Sequence, residues 1–199
     1  MTTAPAYGAA RPAARVLADL ASPAWAAQVA LVLAGAAFVG VCAQIAIPLP
    51  FTPVPVTLQT YAVLVVGGAL GGLRGVAAMA LYALAGLAGV PWFAQGGSGV
   101  SVPTLGYIIG FIAAAALVGH WAQGGGTRGV ARTTIAMLLG SAVIYACGVT
   151  WLALSLGLTP GDALAKGLWP FVIGDLIKVA AAGLTIPLAW RAFGGRGGR

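Results

Sequence analysis

Long apolar runs, broken by short stretches rich in glycine, proline or arginine, make up most of this chain. Six can be marked: 24–47, 56–73, 75–90, 104–123, 133–158 and 168–190. None shows the period-two alternation of a membrane strand, and most approach the roughly 20 residues that an α-helix needs to cross a bilayer. The pattern predicts an all-α integral membrane protein, with six transmembrane helices in one domain over 24–193. A flexible tail is expected over 1–23 and a short basic tail over 194–199. The run 75–90 is short for a full span, which predicts a helix that tilts little or borrows flanking residues.

Composition agrees. Of 199 residues, 60% are hydrophobic and 7% charged, with a mean hydropathy of +0.99. No soluble domain of this size hides so much apolar surface in one core. The 31 glycines, with many alanines, let transmembrane helices approach closely. Cys42 and Cys147 both fall in apolar runs and read as small core residues rather than a disulfide framework or metal motif.

The charge of +7 carries topology. Arg11, Arg15, Arg74, Arg128, Arg132, Arg191, Arg196 and Arg199 fall on one side of the predicted helices, and only Lys166 on the other. Cytoplasmic loops carry the Lys/Arg excess, so both termini are expected inside and the three remaining loops outside. The basic residues form no patch, so nucleic acid is not an expected partner. Membrane lipid is.

The expected outer loops are elaborate. One holds four prolines in eight residues, Pro48-Leu49-Pro50-Phe51-Thr52-Pro53-Val54-Pro55, and so is stiff and extended rather than helical. The next, from Pro91 to Gly99, joins Trp92 and Phe93 to a glycine turn. Inner connections are plain by contrast. This asymmetry suggests a site that opens outward, although Phe51, Trp92 and Trp169 also suit an interfacial aromatic belt.

One pair of charges stands inside an apolar run. Asp175 and Lys178, three residues apart, lie on one face of the last helix. They are about 9 and 13 Å inward from Trp169 at 1.5 Å per residue. Ionisable groups at this depth face a bundle interior and often mark a ligand path; a purely structural ion pair is the competing reading. Thr57, Gln59, Tyr82 and Tyr107 are expected at similar depth, and together these residues suit a small, ring-bearing acid. His120, the single histidine, is expected at the interface. No Ser/His/Asp set, metal cluster or phosphate-binding loop is visible, so neither an enzyme nor a cofactor or metal site is expected.

Several of these stretches resemble a known family. The run from Ile47 to Thr60, with Pro48, Pro50, Pro53, Pro55 and Gln59, is similar to the signature of the BioY family of biotin transporters. So are Gly89-Val90-Pro91-Trp92-Phe93-Ala94 with Gly97-Ser98-Gly99, and Pro103-Thr104-Leu105-Gly106-Tyr107 with the residues after it. Asp175 and Lys178 match the family's late Asp-x-x-Lys element. Leu105 departs from the pattern, which carries glycine there. The resemblance implies a six-helix substrate-capturing S component of an energy-coupling factor transporter, in the plasma membrane of a prokaryote. It implies biotin as the transported ligand, and as partners a transmembrane coupling protein and two cytoplasmic ATPase subunits. It adds Phe93, Gln95 and Ser98 to the candidate ligand residues, beside Asp175, Lys178, Gln59, Thr57, Tyr82 and Tyr107. Ala26, Ala30 and Ala34 on the first helix fit the family's docking stripe, or equally a close contact within the chain. An S component for another vitamin, a lipid-modifying enzyme and a structural membrane protein are the alternatives.

Overall fold

The computed structural model describes residues 16–100 and 103–194. Arg11, Arg15, Arg196 and Arg199, and most of the two expected tails, lie outside the described residues. Among the described residues, seven α-helices and one small hairpin make up the fold. Helix α1 (Trp25–Gln44) carries no proline or charge to interrupt it. It gives way to strand β1 (Ala46–Ile47), which pairs antiparallel with β2 (Val56–Thr57) in the register Ala46↔Thr57. The proline-rich stretch is the turn of this hairpin. Its prolines lack the N–H that a helix or a longer ladder would need.

Helix α2 (Gln59–Leu70) follows at once and stops at Gly71, whose φ of +84° favours glycine. Helix α3 (Gly72–Leu87) starts on the next residue. The corner is tight because Gly119 of α4 (Leu105–Gln123) lies directly against the backbone of Gly71 and Gly72, where a Cβ would clash. Helix α5 (Val130–Leu156) is the longest, about 40 Å at 1.5 Å per residue. It closes at Gly157, which takes the left-handed conformation usual for a helix C-cap. The short α6 (Pro160–Gly167) opens on a Thr159 cap with proline in its first turn. Helix α7 (Val172–Phe193) completes the bundle.

The expectation of six full spans needs correction. Four helices are long and apolar enough to cross a membrane: α1, α4, α5 and α7. The run 56–73 yields a helix of only 12 residues, roughly 18 Å. Its first residues go to the hairpin, and Gly71 ends it. The third run, already expected to be short, yields 16 residues. Short helices at membrane depth are tolerable where neighbours cover them. Helix α2 is such a case, since Ala62, Val63, Leu64, Val66 and Gly67 are all buried.

A second correction concerns the N-terminal tail. Within it, residues 17–20 form a 3-10 turn, and Val16 and Ala18 are buried. Val16 packs beside Gly71, and Asp19 meets Arg74 at 2.8 Å.

Hydrogen bonds tie the loops at the hairpin end to one another. Thr52 Oγ1 donates to the carbonyl of Lys166 at 2.7 Å. Gln44 Nε2 donates to the carbonyls of Trp92 and Phe93 at 3.0 and 3.3 Å. The hairpin, the 88–100 loop and α6 thus sit together over the starts of α2, α4 and α7.

Candidate functional site

Asp175 occupies the first turn of α7, where the helix dipole favours an anion. Its side chain is 7% exposed, and three donors reach it. Lys178 Nζ lies 2.6 Å from Oδ1, Thr60 Oγ1 lies 3.2 Å from the same oxygen, and the Tyr145 hydroxyl donates to Oδ2 at 2.7 Å. A buried ion pair is costly unless further hydrogen bonds satisfy its lone pairs. Here α2, α5 and α7 each supply a donor. An ionised carboxylate has about four lone-pair sites, so one acceptor position remains on Oδ2.

These groups line a narrow slot of about 50 Å³ that is open at its mouth. The hairpin and α2 give it Val54, Pro55, Thr57, Gln59 and Thr60; α4 gives Tyr107, Ile108 and Phe111. Phe171, Asp175 and Lys178 form the α7 wall, and Tyr145 comes from α5. The Tyr107 and Tyr145 rings meet edge to face, with centroids 6.3 Å apart, a favoured aromatic geometry. The Tyr107 hydroxyl donates to the carbonyl of Gly167 at 2.7 Å. Its ring occupies the space that a side chain at position 148 would fill, and Gly148 leaves it open.

Of the residues expected here, Asp175, Lys178, Gln59, Thr57 and Tyr107 come together in the wall. Tyr82 and Phe93 stand one layer behind. Gln59 Nε2 donates to the Tyr82 hydroxyl at 2.8 Å, and that hydroxyl donates to the Trp92 carbonyl at 3.3 Å. Trp92 Nε1 donates back to the carbonyl of Tyr82 at 3.0 Å. Phe93 is fully buried in the notch left by Gly86 and packs on Tyr82 at 5.4 Å. Both residues therefore hold the 88–100 loop onto the bundle rather than face the slot.

Gln95 and Ser98 are not in the wall. Gln95 is exposed at the tip of a 3-10 turn with φ 60°, and its neighbour Ala94 lines the slot instead. Ser98 is half-buried, outside the slot lining. The sequence reading missed Thr60 and Tyr145. Thr60 sits next to Gln59 inside a quoted motif, which was a usable signal. Tyr145 is a lone tyrosine in a long apolar run, and only the packing of α5 against α7 brings it to Asp175.

On α1, the residues that face the bundle are Gly35, Ala36, Val39, Gly40, Cys42 and Ala43. Ala26, Ala30 and Ala34 are exposed, beside exposed Val29 and Leu33. Among the described residues the small-residue stripe is therefore not packed against another helix of the bundle.

With this geometry in hand, relatives can be compared. The BioY family matches residues 13–195. The chain belongs to the BioY family. A biotin transporter BioY from Rhodobacter capsulatus is 36% identical over 154 residues, which cover 70% of this chain and 80% of that protein. One from Thermotoga maritima is 39% identical over 141 residues, 69% of this chain and 82% of the relative. A probable biotin transporter BioY from Pyrococcus horikoshii is 36% identical over 158 residues, 78% and 91% respectively. The fold is similar to the crystal structure of the S-component for biotin from an ECF-type ABC transporter. The TM-score is 0.76 at 24% identity, covering 82% of this chain and 90% of the other. The fold is therefore that of an all-α membrane bundle of the S-component type, and this family of multi-pass membrane proteins transports rather than catalyses.

Proposed function

We propose that this chain is a membrane-embedded subunit that captures biotin from outside the cell for uptake. The observation that carries the reading is the Asp175–Lys178 pair, buried in an aromatic slot with a free acceptor position on Asp175. Biotin presents a flat ureido ring with two N–H donors and a carbonyl, a sulfur ring and a carboxylate tail. Asp175 suits the N–H edge and Lys178 suits an oxygen. Tyr107, Phe111 and Phe171 offer aromatic faces to the rings. A ligand that takes up contacts of the existing pair limits the desolvation cost of the bound state.

In this reading all six apolar helices cross the membrane, α2 and α3 as short crossings covered by their neighbours, with both termini cytoplasmic. The arginine-rich connections on the side away from the slot support that orientation. The exposed Ala26–Ala30–Ala34 stripe is the surface for a transmembrane coupling protein, which links the chain to two cytoplasmic ATPases. Close helix approach needs such small residues.

Titration of biotin into purified protein without ATP tests the reading. The wild type should bind. The double variant Asp175→Asn/Lys178→Met removes both charges, so it should remain folded and yet no longer hold biotin. Near wild-type affinity in that variant would place the site elsewhere in the bundle.

A further inference from the structure

The slot contains one cation, Lys178, and Asp175 already engages it at 2.6 Å. For a cationic partner, an anionic tail has to draw Lys178 away from Asp175 or meet a second cation. Among the described residues at this end of the bundle there is one more, Lys166.

Lys166 lies in the last turn of α6. It shares a helix face with Ala163, three residues earlier, and is followed by Gly167. Both neighbours are buried, so this face is turned to the bundle, and Lys166 is half-buried on it, beside the slot rather than in its lining. Two hydrogen bonds fix this turn to the walls of the slot. Thr52, two residues before the wall residue Val54, donates to the Lys166 carbonyl at 2.7 Å. Tyr107, itself in the wall, donates to the Gly167 carbonyl at 2.7 Å. The ammonium has no ion pair among the described residues. Asp162, one turn earlier, accepts instead from Thr159 Oγ1 at 2.7 Å within the helix cap.

We infer that Lys166 is the second, rim-side cation of this site, and that it takes the ligand's tail carboxylate while Asp175 and Lys178 hold the polar groups of the ring. This rests on the biotin reading above. It narrows the substrate class to ring ureas with an anionic tail, and separates two tasks: the buried pair reads the ring and the rim lysine reads the charge. A half-exposed cation gives a modest, salt-screened contribution.

The test is a cycle of protein against ligand, with biotin and its uncharged methyl ester titrated into wild type, Lys166→Gln and Lys166→Arg. Wild type should prefer biotin over the ester by about three- to tenfold at low ionic strength, and the preference should shrink as salt is added. Lys166→Gln should lose that preference by weakening biotin alone, with the ester unchanged to within about twofold. Lys166→Arg should keep it. Equal affinity of wild type for the two ligands overturns the inference, as does a Lys166→Gln variant that retains the preference or loses both ligands alike. A wild type that binds neither ligand overturns the biotin reading, and this inference with it.

Discussion

Among the described residues, the two ends of the bundle each hold one acid–base pair, and they are built for different ends. At the end of the α2–α3 corner, Asp19 and Arg74 meet at 2.8 Å with 28% and 29% of their side chains exposed. This pair pins a 3-10 turn beside the α2–α3 corner. The neighbouring connections are economical: a glycine corner closed by Gly119, and a glycine-rich linker whose Arg128 lies 4.9 Å over the Trp190 ring. At the other end, Asp175 and Lys178 are 7% and 14% exposed, and Thr60 and Tyr145 come from two further helices to complete the carboxylate's partners. Exposed pairs contribute little because water competes for both charges. Buried pairs are worth little as staples but are sensitive to loss of one partner. The first pair joins a local turn to a corner. The second concentrates polar groups from three helices on one point in an apolar slot, which is what recognition of a polar ring needs.

The largest expected effect comes from breaking the buried pair by halves. Asp175→Asn and Lys178→Ala should each lower biotin affinity at least about thirtyfold. Losing one member of a desolvated charge-assisted contact costs about 2–5 kcal/mol, and about 1.4 kcal/mol is tenfold. Titration calorimetry on protein that still elutes as a folded species measures it. A staple without a binding role would instead give misfolded single variants and normal binding in the charge-free double variant.

Next in size is Tyr145→Phe, which keeps the ring and removes one hydrogen bond to the carboxylate. Hydrogen bonds to charged groups contribute about 1.5–3 kcal/mol, so affinity should fall about tenfold or more. The same titration shows it, and unchanged affinity would mean that the tyrosine serves packing alone.

The smallest effect belongs to the other end. Arg74→Ala should cost about 0.2–1 kcal/mol of stability, as exposed pairs do, and leave biotin affinity unaltered. A shift in thermal midpoint reads the first quantity. A marked loss of binding would join the two ends functionally and break the contrast between them.

Much of this molecule was written in the order of its residues. The apolar runs determined an all-α membrane bundle, because a bilayer admits only helices and closed barrels and these runs lack the alternation of barrel strands. The proline-rich stretch determined a non-helical loop, and Asp175 with Lys178 marked the candidate site, because charge inside an apolar run needs a reason. Tertiary structure decided the rest. It shortened α2, since covering neighbours and a glycine corner set its length rather than hydropathy. It put Tyr82 and Phe93 behind the slot and Gln95 outside it, since a loop's fold, not its composition, decides which side chains face inward. It also brought Thr60 and Tyr145 to Asp175 across 115 and 30 residues of chain. Such convergence depends on how helices pack, and side-chain packing between distant helices leaves no periodic trace in the sequence.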